Sequence, residues 1–118
     1  MRVLLVDDSA TVRERLKGLF SEVPKVEIIG EAGDGTEALE LVRRLNPEVL
    51  ILDIQMPDGG GIELLRKVKI INRSVMVIVL TNLSERQYRQ KCLDAGADYF
   101  FDKSSEFNEV AAVLRRKD

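Results

Sequence analysis

The sequence predicts a doubly wound α/β fold, a parallel sheet covered by helices on both faces. Three observations predict it. Five short apolar runs recur along 118 residues, and each is followed by a segment of helical period. Three of the runs are almost uniformly apolar and rich in Val and Ile, as suits strands buried on both faces. Turn residues separate the segments. Strand then helix, five times over, winds through right-handed crossovers and so covers both faces.

The first run, residues 3–6, stops at Asp7 and Asp8. Val12, Leu16, Leu19, Phe20 and Val23 then form one helical stripe, and Pro24 closes the unit. The second run, 26–29, meets the turn Gly33-Asp34-Gly35 and a helix with Ala38, Leu41, Val42 and Leu45 on one face. Asn46-Pro47 leads to the third run, 49–52, which ends in Asp53. A turn over residues 57–61 precedes a helix with Ile62, Leu65 and Val68 inward. The fourth run, 75–80, ends in Thr81; Ser84 and Gln87 stand at capping-box spacing before a helix that buries Tyr88 and Cys92. After Ala95-Gly96 the fifth run, 99–101, ends in Asp102 and Lys103, and the last helix carries Phe107, Val110, Ala111 and Leu114.

Composition narrows the function. The length suits a single domain, expected over 1–118 without an output domain, and no linker or repeat divides it. A net charge of −2 without a basic block gives no reason to expect direct nucleic-acid binding. The opening apolar run is too short for a signal peptide or a membrane span, so a cytoplasmic protein with no membrane contact is expected. One cysteine, Cys92, excludes an intrachain disulfide and a cysteine zinc site. There is no histidine, which removes Ser-His-Asp and Cys-His chemistry and the commonest general base. Chemistry here must rest on carboxylates, hydroxyls, Lys or Arg.

In a doubly wound sheet, ligands bind outside the carboxyl ends of the strands. There the chain sets Asp7, Asp8, Asp53, Thr81 and Lys103. Three carboxylates without histidine make a hard-oxygen set suited to Mg²⁺. A carboxylate can also accept a phosphoryl group. A lysine and a hydroxyl would hold its oxygens, and phosphoryl transfer needs little more than positioning and charge neutralisation. The cation would also explain the adjacent acids Asp7 and Asp8. Each residue alone has an ordinary structural explanation, such as a turn aspartate or a surface lysine. Their joint occurrence at four strand ends is what points to a site.

These residues, with the stretch LILDIQMPDGGG around Asp53, resemble the receiver domain of two-component response regulators over nearly the whole chain. The resemblance implies a flavodoxin-like (βα)5 fold with strand order 2-1-3-4-5. It implies that Asp53 is the phosphoacceptor, that Asp8, Asp53 and the backbone carbonyl of Gln55 bind Mg²⁺, and that Asp7 supports them. Thr81 and Lys103 would hold the phosphoryl group, and Phe100 would rotate inward as Thr81 moves. The outcome would be an altered surface on the fourth helix, fifth strand and fifth helix, with Arg86, Gln87, Gln90 and Lys91 exposed. The phosphoryl donor would be a sensor histidine kinase or a phosphotransfer protein, and the receiver of the signal an unknown downstream protein. The same helices could serve a phosphorylation-dependent homodimer. The stretch GEAGDGTEAL resembles receivers that precede LuxR-type DNA-binding domains.

Two residues depart from the pattern. Ser104 follows Lys103 where Pro, with a cis bond, is usual; Asn82 follows Thr81 where Ala or Gly is common and would modulate access to Asp53. A phosphorylation-independent interaction or dimerisation module is the alternative these departures keep open. Other motifs compete less well. Residues 33–38 nominally fit a dinucleotide fingerprint, but Asp34 would face the pyrophosphate. Asp7-x-Ser9-x-Thr11 resembles an adhesion metal motif, though both hydroxyls suit a first helical turn. A dehalogenase-type phosphatase would need Asp where Ser9 stands. Cys92 reads as a small buried hydrophobe, and residues 115–117 as basic complements to a helix dipole.

Overall fold

The computed structural model describes residues 1–57 and 60–117. Asp58 and Gly59 of the predicted turn, and Asp118, lie outside the described residues. The elements run β1 (Arg2–Val6), α1 (Ala10–Phe20), β2 (Glu27–Ala32), α2 (Gly35–Leu45), β3 (Val49–Leu52), α3 (Gly61–Ile71), β4 (Met76–Thr81), α4 (Arg86–Asp94), β5 (Tyr99–Asp102) and α5 (Glu109–Arg116). All strand pairs are parallel, in the order β2-β1-β3-β4-β5. This is the flavodoxin-like order.

Strand geometry sends alternate side chains to opposite faces, and here both faces are dry. Leu4, Val6, Leu50, Leu52, Val77 and Val79 pack under α2, α3 and α4. Val3, Leu5, Val49, Ile51, Ile78 and Leu80 pack under α1 and α5, against Leu16, Phe20, Val110 and Leu114. The apolar runs of β1, β3 and β4 therefore occupy the centre, and their carboxyl ends open at one edge.

Side-chain caps start the first two helices. Ser9 Oγ accepts the Val12 N–H at 3.2 Å and so caps α1. Asp34 caps α2, its Oδ1 accepting the Glu37 N–H at 2.8 Å, while Glu37 Oε1 reaches back to accept the Gly33 N–H at 3.0 Å. Asp34 thus occupies the helix N-terminus that a pyrophosphate would need. Asn46, at φ 49°, closes α2 in the left-handed region. At α3 the helix start lies against the Ile54 backbone, and a Cβ on Gly61 would run into it. We expect Gly61→Ala to cost roughly 2–4 kcal/mol, because backbone cannot yield as a side-chain tip can. Urea unfolding followed by circular dichroism checks this.

Some boundaries differ from expectation. The capping box at Ser84 and Gln87 does not form: α4 begins at Arg86 with Glu85 as its cap. The Ser84 hydroxyl instead helps hold the Asp102 carboxyl below its ordinary value. Val23 and Phe107 are buried as the helical stripes predicted, but from the turns flanking α1 and α5. Among the described residues there is no cis peptide bond, so Lys103–Ser104 is trans. Cys92 is fully buried, and burial pushes its thiol up to about 11, as expected of an inert core residue.

Candidate functional site

The sheet ladder fixes the backbones of the site. Asp7 N–H donates to Ala32 O at 3.0 Å, Asp53 N–H to Val6 O at 3.0 Å, and Lys103 N–H to Thr81 O at 2.9 Å. Each residue lies just past a strand, so its backbone is held while its side chain turns outward over the edge.

Lys103 draws the acids together. Its Nζ donates to Asp7 Oδ2 at 2.8 Å and to Asp53 Oδ2 at 2.7 Å. The other oxygen of each acid accepts a backbone N–H two residues on: Ser9 to Asp7 Oδ1 at 2.8 Å, and Gln55 to Asp53 Oδ1 at 2.9 Å. Arg13 also donates through Nη1 to the Asp7 carbonyl. Both carboxylates are 4% exposed and Lys103 only 12%, so these contacts operate in a poorly hydrated setting.

The charges are not matched. Asp8 stands exposed beside the pair, and carboxylate oxygens of Asp7, Asp8 and Asp53 all lie within 4.8 Å of one another. One ammonium faces three acids. Burial pushes the Asp7 carboxyl above its ordinary value, against the hydrogen bonds from Lys103 and Ser9. Burial also opposes the charge on Lys103, but its hydrogen bonds to Asp53 and Asp7 outweigh that and hold it above the usual lysine value. Such a cluster can take a divalent cation, which would neutralise the remaining charge. Hard carboxylate oxygens on an open cleft fit a hydrated ion. The cleft, of about 410 Å³, is lined by Asp8, Ser9, Val12, Asp53, Gln55, Met56, Pro57, Asn82 and Lys103.

The remaining sequence-predicted residues divide. Asn82 is on the cleft wall. Thr81 is fully buried, and its Oγ1 accepts the Leu83 N–H at 3.2 Å rather than facing the cleft. Phe100 is already buried, so a swing inward from solvent is not available to it. The Arg89 guanidinium lies 5.8 Å from its ring centre and donates to its carbonyl at 3.4 Å. Asp102, though beside Lys103, is taken up by Ser84 and by the Ser104 and Ser105 N–H groups. Arg86, Gln87, Gln90 and Lys91 are exposed on α4 as expected. Sequence reasoning missed Arg13 and Arg89. Helical spacing places both, but nothing in the sequence says which carbonyl each reaches.

The response regulator receiver domain family matches residues 3–115. The chain belongs to that family, whose members work in phosphorelay signalling. Among relatives, a protein-glutamate methylesterase/protein-glutamine glutaminase of Rhizobium johnstonii is 46% identical over 72% of this chain and 24% of its own length. A putative transcriptional regulator of Pseudomonas aeruginosa is 37% identical over 97% of this chain and 55% of its own. The response regulator domain of Thermotoga maritima CheB superposes with a TM-score of 0.84 at 36% identity, covering 99% of this chain and 92% of that one. The chain therefore spans about a quarter to a half of these curated relatives and matches their receiver portion. Among the described residues, no helix is long and apolar enough to cross a membrane.

Proposed function

We propose that this receiver is a switch that accepts a phosphoryl group on Asp53 in the presence of Mg²⁺. The observation that carries the reading is the bridge of Lys103 between Asp7 and Asp53, with Asp8 alongside on an open cleft. Asp8, Asp53 and the Gln55 carbonyl would hold the ion and Asp7 would support it. Bound there, Mg²⁺ supplies positive charge for the phosphoryl oxygens.

An oxygen of Asp53 attacks phosphorus as the P–N bond of a phosphohistidine breaks, and the electron pair leaves on the imidazole. Residues 1–118 contain no histidine, so the donor lies outside them: a sensor histidine kinase, a phosphotransfer protein or a small acyl phosphate. Lys103 pairs with one phosphoryl oxygen. Thr81 gives up the Leu83 N–H and turns its hydroxyl to another. Phe100 then repacks within the core beneath Arg89, and the face of α4, β5 and α5 changes. A downstream protein that prefers this face shifts the equilibrium. In this reading the chain catalyses only its own phosphorylation and dephosphorylation.

With acetyl phosphate and Mg²⁺ the protein should gain one hydroxylamine-labile phosphoryl group, and EDTA should prevent it. Labelling that persists in EDTA would remove the metal from the account; no labelling from acetyl phosphate or a phosphohistidine donor would favour the interaction-module reading.

Mg²⁺ should also stabilise the fold. At about ten times its Kd the gain is about 1.4 kcal/mol, a rise of about 3–6 °C in Tm for a domain of this size. The raised Asp7 sets the pH dependence. For an acid whose folded pKa is raised, stability is fully present below the unfolded pKa and lost as pH rises through the folded value. The metal-free site therefore favours mild acid, whereas metal binding needs the deprotonated acid. The Tm gain from Mg²⁺ should therefore shrink as pH falls toward the raised Asp7 value. Thermal melts with Mg²⁺ and with EDTA across a falling pH series check this.

A further inference from the structure

The two positions at which this chain departs from the receiver pattern touch each other. The Ser104 hydroxyl donates to Asn82 Oδ1 at 3.2 Å, across the mouth from β5 to β4. Beside it the Asp102 carboxylate accepts the Ser104 N–H at 2.7 Å and so fixes the Ser104 backbone. The Lys103 N–H holds the Thr81 carbonyl at 2.9 Å. The loops after β4 and β5 are thus fastened together at Lys103 and at Ser104.

An asparagine amide has one accepting end and one donating end. Ser104 engages the accepting oxygen. The NH₂ is the end left for the cleft that Asn82 lines together with Asp53 and Lys103. We propose that Asn82 and Ser104 form a clasp in which Ser104 orients the Asn82 amide so that its NH₂ donates to a phosphoryl oxygen on Asp53. Asn82 is then a binding residue and Ser104 a positioning residue that acts through it. This rests on Asp53 being the acceptor, and it gives the residue expected to modulate access to Asp53 a binding role as well.

Beryllofluoride with Mg²⁺, a mimic of the phosphoryl group, tests the clasp by ¹⁹F NMR titration. Both residues are exposed, so their substitution leaves the core intact. Asn82→Ala should weaken beryllofluoride about tenfold, the loss of one hydrogen bond to a charged group. Ser104→Ala should weaken it about threefold, a fraction of that loss, and Ser104→Thr, which keeps the hydroxyl, should match the parent. In the Asn82→Ala background, Ser104→Ala should change nothing further. Affinity for Mg²⁺ alone should be unchanged throughout, which general damage to the site would not allow. If Asn82→Ala binds beryllofluoride as tightly as the parent or more tightly, or if the two effects simply add, the clasp is wrong while Asp53 stands. If the parent itself binds no beryllofluoride, the acceptor assignment falls and the clasp with it.

Discussion

Lys103→Met should destabilise the metal-free domain by about 3 kcal/mol, the order of cost for breaking a buried ion pair from one side. Lys103 is the ammonium that contacts Asp7 and Asp53, and both acids are buried. Methionine keeps the length and the apolar stem but removes the charge. The two carboxylates are then left to repel one another, and Asp7, already pushed up by burial, would take a proton more readily. Mg²⁺ should restore much of the loss, because a divalent ion on the same acids replaces the missing charge. Urea titrations of parent and variant, each in EDTA and in saturating Mg²⁺, measure this. A cost equal in both conditions would mean that Lys103 and the metal do not share the acids.

Asp53→Asn should have the opposite effect on stability and a larger one on function. It removes one of three crowded carboxylates and leaves Lys103 paired with Asp7 at 2.8 Å. The amide is nearly isosteric and can still accept the Gln55 N–H. We expect the metal-free variant to be at least as stable as the parent, because like-charge repulsion at the site falls. Phosphoryl acceptance should be lost entirely, since an amide oxygen is a poor nucleophile and its adduct would not persist. A thermal melt paired with labelling by acetyl phosphate separates the two effects. A stable fold without label ties the loss to chemistry; a collapsed fold would mean that Asp53 is needed for structure.

The parts of this account legible in the sequence are those where burial and chemistry change together along the chain. The runs Val3–Val6, Val49–Leu52 and Met76–Leu80 of β1, β3 and β4 are apolar because both their faces are covered, and the first polar residue after each run marks the sheet edge. This is why Asp7, Asp53 and Thr81 could be picked out from residue order alone. β2 was harder to bound. As an edge strand it carries Glu27, Gly30 and Glu31, and a register shift opposite Val3 and Leu4 extends its pairing to Ala32. Its polar residues look like turn chemistry until β1 is placed beside them.

The misread start of α4 shows a different limit. Ser84 and Gln87 have the right spacing for a capping box, but the Asp102 carboxylate, eighteen residues on, offers the Ser84 hydroxyl a charged partner. Local spacing cannot reveal a competitor supplied by another strand. The same holds for Asn82 and Ser104, which the sequence shows only as two separate departures. Phe100 could be identified as an aromatic three residues before Lys103, but whether its ring lies in the core or in solvent depends on α4 and Arg89.

The most direct test of the central claim is to locate the phosphoryl group. Parent protein is treated with acetyl phosphate and Mg²⁺, reduced with borohydride, digested and sequenced by mass spectrometry. Reduction converts an aspartyl phosphate to homoserine, so the acceptor is marked in the chain itself. The account predicts homoserine at position 53 and nowhere else, dependent on Mg²⁺ and absent from Asp53→Asn. Homoserine at position 7 or 8, or the same mark in EDTA, would contradict it.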